Sequence, residues 1–199
     1  RQMAPRWFVF TEGKSEVLYF SRFRTRGMPV SVIPIPAGNT DIRGIADYCM
    51  RELELRGFGD VEGDRATIVF DKDQNTMERI AEAERRCGDV GMLMSNPSYE
   101  YWLLLHFEDS TRPMDQREME ARLSRLLGRR YSKGEDLTRA ITDRRIRDAI
   151  DRAERRLPGD SCILEECFRR EPSTMLHVLV SDLLEMSEAI RWTLSSRTR

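Results

Sequence analysis

Four short apolar runs, separated by segments of helical periodicity, constrain this chain more than any single motif does. The runs are Trp7-Phe8-Val9-Phe10, Val30 to Ile35, Ala66-Thr67-Ile68-Val69-Phe70, and residues 89–94. Each has the length of a strand and is too apolar to leave one face in water, the pattern of strands covered on both faces. Residues 14–26 between them read as a helix with Val17, Phe20 and Phe23 on one face. A second helix runs from a Thr40 or Asp41 cap to about Arg56, and a third from about Asn75 to Cys87, stopped by Gly88. Gly57 to Gly63 reads as a loop. The order β-α-β-α-β-α-β predicts an α/β fold, a parallel sheet flanked by helices.

The chain then changes character. Ser95-Asn96-Pro97 reads as a helix start, with Pro97 in the first turn and Ser95 or Asn96 as cap. Tyr99 to Phe107 is apolar almost all round, as expected of a buried helix, and Glu100 is its one acidic residue before Glu108. From residue 112 the pattern is Arg-rich and helical, over about 115–127, 136–157 and 174–194. Gly128 to Gly134 breaks it once, and Pro158-Gly159 stops the second helix. The expected organisation is an α/β core over 1–111 and an Arg-rich helical extension over 112–199 packed on it.

Composition excludes several classes. Of 199 residues 40% are hydrophobic, enough for a core, yet no stretch is long enough to span a bilayer. The opening Arg1-Gln2-Met3 lacks the apolar centre of a signal peptide and reads as a trimmed or engineered end. Cys49, Cys87, Cys162 and Cys167 form no Cys-x-x-Cys pair, and there are two histidines, so a structural zinc site is not expected and a reducing cytoplasm is. The net charge of −1 hides an asymmetry: residues 1–111 carry −4 and residues 112–170 carry +4. The basic part could meet a polyanion; the bland alternative is a set of solvated helices, since many arginines have acidic neighbours at helical spacing. Only three of the 33 basic residues are lysine: Lys14, Lys72 and Lys133. A compact ammonium contacts phosphate as a point charge, which a guanidinium fork does not reproduce.

The chemistry gathers where the runs end. Asp71-Lys72-Asp73 closes the third run, putting two carboxylates at the carboxyl edge of the sheet, where open α/β folds bind ligands. Hard oxygen ligands so placed suit Mg²⁺, and period-2 geometry sends both side chains to the same side. The competing reading is a turn in which Asp73 caps the next helix. Glu12 directly follows the first run, as a general base or metal ligand, and Glu16 lies one helical turn on. Glu16 read blandly is a first-turn charge favoured by the helix dipole. Glu100 needs a partner wherever it is buried, and a metal, an arginine or Lys133 could supply one. His106, in the same apolar segment, reads as a satisfied core histidine rather than a catalyst.

These segments together resemble the RloB-like proteins, a branch of the Toprim superfamily. The matching stretches are Thr11-Glu12-Gly13-Lys14-Ser15-Glu16 with Tyr19-Phe20, and Phe70-Asp71-Lys72-Asp73. The run from Ser95-Asn96-Pro97-Ser98-Tyr99-Glu100 to His106-Phe107, Tyr131-Ser132-Lys133, and Pro172-Ser173-Thr174 with His177 complete the set. Residue 99 is Tyr where the pattern has Phe, which keeps the ring. The resemblance implies a Toprim-like sheet with Glu12, Asp71 and Asp73 holding Mg²⁺, or Mn²⁺ in its place. It implies a nuclease of anti-phage, abortive-infection systems, often beside an ATPase; RNA, tRNA included, is favoured over DNA because some related effectors act on tRNA, and the resemblance itself does not separate the two. Glu16, Glu100 and Lys72 would assist catalysis, and Lys14, Lys133, Arg129 and Arg130 would hold the nucleic acid. Two other readings compete: a binding module that docks on an ATPase partner without cleaving, and a polymerising Toprim, which the lack of a zinc motif or second nucleotide-binding domain disfavours.

Overall fold

The computed structural model describes residues 3–196, so Arg1 and Gln2 of the opening segment lie outside the described residues. Four expected strands form: β1 (Arg6–Thr11), β2 (Ser31–Pro36), β3 (Arg65–Asp71) and β4 (Gly91–Asn96). They pair in parallel in the order β2-β1-β3-β4. The three inner strands are buried along almost their whole length, as their unbroken apolar runs require. β2 carries Pro34, which a ladder interior would not accommodate, and it takes the edge.

Helices α2 (Ile42–Leu55) and α3 (Met77–Cys87) pack together on one face of the sheet, where Tyr48 meets Phe10 edge to face at 6.3 Å. Asp41 caps α2 by accepting the Arg43 N–H, and Gly88, at φ 56°, ends α3 in a backbone region that favours glycine. On the other face α8 (Leu176–Ser196) lies against the side of the sheet that carries Trp7, Val9 and Leu93. α4 (Tyr99–Leu105) is buried on every side, as its composition predicts. α5 (Gln116–Leu127) and α6 (Asp143–Arg156) enclose α4, so one apolar cluster runs continuously from the sheet into the Arg-rich half.

Four local expectations are corrected. α1 spans Lys14–Ser21, not 14–26, because the amides of Arg22, Phe23 and Arg24 each bond three residues back and tighten the chain into turns. Ser95 and Asn96 do not cap α4; they belong to β4, and the cap position falls to Ser98. The helix expected from 136 begins at Asp143 behind a Thr142 cap; Leu137 and Ile141 are buried at helical spacing, but in a loop. The segment entering the last helix forms β5 (Ser173–Thr174), antiparallel to β4, and a short helix α7 (Leu164–Arg169) precedes it. The sheet thus has five strands, with its last one drawn from the Arg-rich half.

Among the described residues, no helix is long and apolar enough to cross a membrane. The four cysteines are free.

Candidate functional site

β1 and β3 are adjacent, with Thr11 in register with Val69, so the residues that leave them meet at one edge. Glu12 follows β1 directly, and one of its carboxylate oxygens accepts the Asp71 N–H at 2.8 Å, extending the ladder by a side chain. Asp71, the last residue of β3, is 7% exposed. α1 starts two residues after Glu12 and turns Glu16 inward to 6% exposure. α4 carries Glu100 with no exposed surface at all. Glu16, Asp71 and Glu100 are therefore withdrawn from water and Glu12 partly so; Glu12, Glu16 and Asp71 line one cleft of about 410 Å³, and Glu100 is not part of its lining.

Among the described residues Lys133 is the cation whose charge acts on them. Lys133 lines the same cleft and comes from the loop between α5 and α6. That loop is tied down: the Gly134 N–H donates to the Ser15 hydroxyl at 2.8 Å, and the Tyr131 N–H to the Ser124 hydroxyl at 2.9 Å. Gly134 has φ 85°, a value other residues reach only with strain, and this bend follows Lys133 directly. Glu100 is held by two hydroxyls, Ser98 at 2.9 Å and Tyr131 at 3.3 Å.

The ionisation follows from this packing. Burial raises the Glu12 carboxyl to about 7; the Asp71 N–H and Lys133 work against the shift, while Glu16 and Asp73 add to it. Burial, then Glu12, Glu16 and Glu100, push Asp71 well above the usual carboxylate range. Burial and Glu100 raise Glu16 too. Burial disfavours the Lys133 ammonium, but Glu100, Asp71, Glu16 and Glu12 outweigh it and raise its pKa. Negative charge exceeds positive here, and the surplus is what a divalent cation would relieve.

The other expected residues divide. Lys14 lines the cleft and is exposed. Asp73 is exposed and does not share the orientation of Asp71: the Lys72 N–H bonds Ser95 O and the Asp73 N–H bonds Pro97 O, and Asp73 turns to φ 32°. The strand has ended, so period-2 geometry no longer applies. Lys72 lies with its ammonium 4.5 Å from the centre of the Phe168 ring and is not part of the cleft lining. Arg129 is ion-paired with Glu135, whereas Arg130 is exposed and makes no ion pair among the described residues. His106 is a satisfied core residue, with Trp102 O and the Tyr19 hydroxyl as ring partners.

Asn75 is a positioning residue that periodicity does not reveal. Its side chain accepts the Ile42 N–H at 3.0 Å and donates to Asp71 O at 3.0 Å and Thr40 O at 3.1 Å. It thereby fixes the end of β3 against the start of α2. A short polar side chain just past an acidic strand end was the available signal.

Among the described residues, no three Asp, Glu, His or Cys side chains converge into a ready-made metal cage. The donor chemistry still suits a hard cation, because the buried ligating atoms around the cleft are carboxylate oxygens with excess negative charge. Glu12 and Asp71 are joined through the Asp71 amide, and the exposed Asp73 is near enough for its charge to act on Glu12.

Comparison with known proteins gives one family. A family model described as RloB-like protein matches residues 7–183. No curated protein and no solved structure matches the chain.

Proposed function

We propose that this chain, which belongs to the RloB-like protein family, is a Toprim-type, Mg²⁺-dependent nuclease of prokaryotic anti-phage defence that cleaves RNA, tRNA included, in preference to DNA. The carrying observation is the group of three buried carboxylates, Glu16, Asp71 and Glu100, with the half-buried Glu12, around Lys133 at the carboxyl edge of a mostly parallel sheet. So much like charge buried together costs stability and is uninformative as packing, and perturbed groups of this kind mark functional sites.

Asp71 would hold the metal, with Asp73 able to join it, and Glu12 would reach it through water. Bound there, Mg²⁺ or Mn²⁺ stabilises the charge that develops on a phosphodiester under in-line attack. The remaining work falls to side chains. Glu12, raised to about 7, sits where a general base is most useful at neutral pH, taking a proton from water or from a ribose 2′-hydroxyl. Lys133 meets the phosphate as a point charge. Glu100, held by Ser98 and Tyr131, faces Lys133 and keeps its ammonium charged. Lys14, and the exposed Arg117, Arg125, Arg130 and Arg144, which make no ion pair among the described residues, supply contacts to the rest of the strand, with salt-sensitive affinity.

The test is incubation of the purified chain with total tRNA, total RNA and plasmid DNA, with Mg²⁺, with Mn²⁺ and with chelator. The expected result is metal-dependent RNA cleavage that Asp71→Asn abolishes. Cleavage that survives chelation, or is undiminished in Asp71→Asn, overturns the metal role.

A further inference from the structure

Tyr99 opens α4 and lines the acidic cleft. It is 3% exposed, and its hydroxyl is buried with no hydrogen-bond partner among the described residues. The other three buried tyrosines are satisfied: Tyr19 by His106, Tyr101 by Ser110 O, and Tyr131 by Glu100. The Tyr99 ring stands edge to face with Tyr19 at 6.3 Å, a contact that Phe would make equally well. The hydroxyl therefore adds nothing to packing and leaves a buried donor unused, an arrangement proteins rarely keep without a use.

Glu100 accepts from Ser98 and Tyr131 and Glu12 from the Asp71 N–H, and the Tyr99 hydroxyl bonds to neither. Burial, reinforced by Tyr19, Glu16, Tyr131 and Glu100, pushes the Tyr99 phenol well above its ordinary range. It stays protonated and acts as a donor, not as a phenolate ligand. Lys14 and Lys133 also line this cleft.

We infer that the Tyr99 hydroxyl is a ligand-contacting group of this cleft, donating a hydrogen bond to a phosphate oxygen of the bound strand. This rests on the phosphodiester reading above and adds a residue to it. The experiment compares wild type with Tyr99→Phe, using thymidine 3′,5′-bisphosphate with Ca²⁺ as the probe. Binding is measured by calorimetry. In parallel, the ζ-carbon resonances of carbon-13-labelled tyrosine are followed, with the Tyr99 signal assigned by its loss in the variant. The expected results are movement of the Tyr99 resonance on titration, about tenfold weaker binding by Tyr99→Phe, and a melting temperature equal to or above wild type. Equal binding by both proteins with a stationary Tyr99 resonance overturns this inference and leaves the phosphodiester reading intact. No binding by either protein overturns both. A variant that melts lower and binds equally shows a purely structural hydroxyl and also overturns it.

Discussion

Two buried polar clusters lie one strand apart in this molecule. At the end of β4, Ser95, Asn96, Ser173 and Thr174 are all within 1% of complete burial. At the ends of β1 and β3, Glu16, Asp71 and Glu100 are nearly as deep and Glu12 is half-buried. The first cluster is neutral and matched. Ser95 bonds Thr174 at 2.8 Å, Ser173 donates to Cys167 O at 3.0 Å, and the Asn96 amide donates to Cys167 O and Phe168 O at 2.9 Å; Asn96 Oδ1 alone goes unpartnered. The second cluster is charged, of one sign, and answered by a single lysine. Matched neutral groups recover the cost of burial and make a joint, whereas surplus buried carboxylates do not. The joint fastens the Arg-rich half to the sheet; the surplus waits for a cation.

That contrast is broken most directly by exchanging the expected phenotypes. Asp71→Asn removes a charge the fold does not need. It should lower metal-dependent cleavage by about a hundredfold or more while leaving the melting temperature at or above wild type. Asn96→Ala should do the reverse. Two carbonyls lose their donor in a buried joint, so urea denaturation should show a loss of about 2–4 kcal/mol, with the specific activity of the folded fraction unchanged. An unfolded Asp71→Asn, or a stable but inactive Asn96→Ala, would mean the roles have been assigned the wrong way round.

A finer test uses pH. Glu12 is raised in the folded chain to about 7 from 4.5. Its protonated form is the one the fold tolerates, so that contribution is fully present below pH 4.5 and is lost as pH rises through 7. Gln keeps the acceptor for the Asp71 amide and cannot ionise. Glu12→Gln should therefore be more stable than wild type at pH 8, by on the order of 2 kcal/mol, and indistinguishable at pH 4.5. Mg²⁺ should raise the wild-type melting temperature at pH 8 more than that of the variant. A Glu12→Gln protein less stable at pH 8 would mean the cluster is a structural network after all.

The two clusters also differ in how much of each could be read beforehand. The four parallel strands were legible because unbroken apolar runs have few alternatives, and Glu12 and Asp71 followed from where those runs end. β5 was not, because Ser173-Thr174 has no strand pattern; it pairs only because Ser95 and Met94 offer partners across a long separation in sequence. The start of α6 was misplaced because Leu137 and Ile141 are buried by a loop lying over α1 and α4, which periodicity cannot tell from a helix. Lys72 is directed to Phe168, a contact between segments far apart in the chain, whereas Lys133 was visible simply as a rare lysine. Tyr99 was visible as a departure from the family pattern, but only the packing shows that its hydroxyl has no partner.

The smallest effect concerns the aromatic wall behind the cleft, where Tyr19, Trp102 and His106 pack edge to face. Trp102 O can only accept, so His106 Nδ1 carries the proton and Nε2 accepts from the Tyr19 hydroxyl at 3.0 Å. Burial drives the imidazole down to about 3. A depressed pKa has the opposite sign to Glu12: this contribution is present above pH 6.5 and is lost as pH falls towards 3. Acidification from pH 7 to pH 5 thus relieves the acidic cleft while it strains the wall. Tyr19→Phe leaves Nε2 without its donor and should cost about 1 kcal/mol at pH 8 by urea denaturation, with cleavage unchanged. A fall in cleavage comparable to that of Asp71→Asn would place the Tyr19–His106 pair in the chemistry, and the boundary between matched and surplus polar groups would have to move one layer deeper into α4.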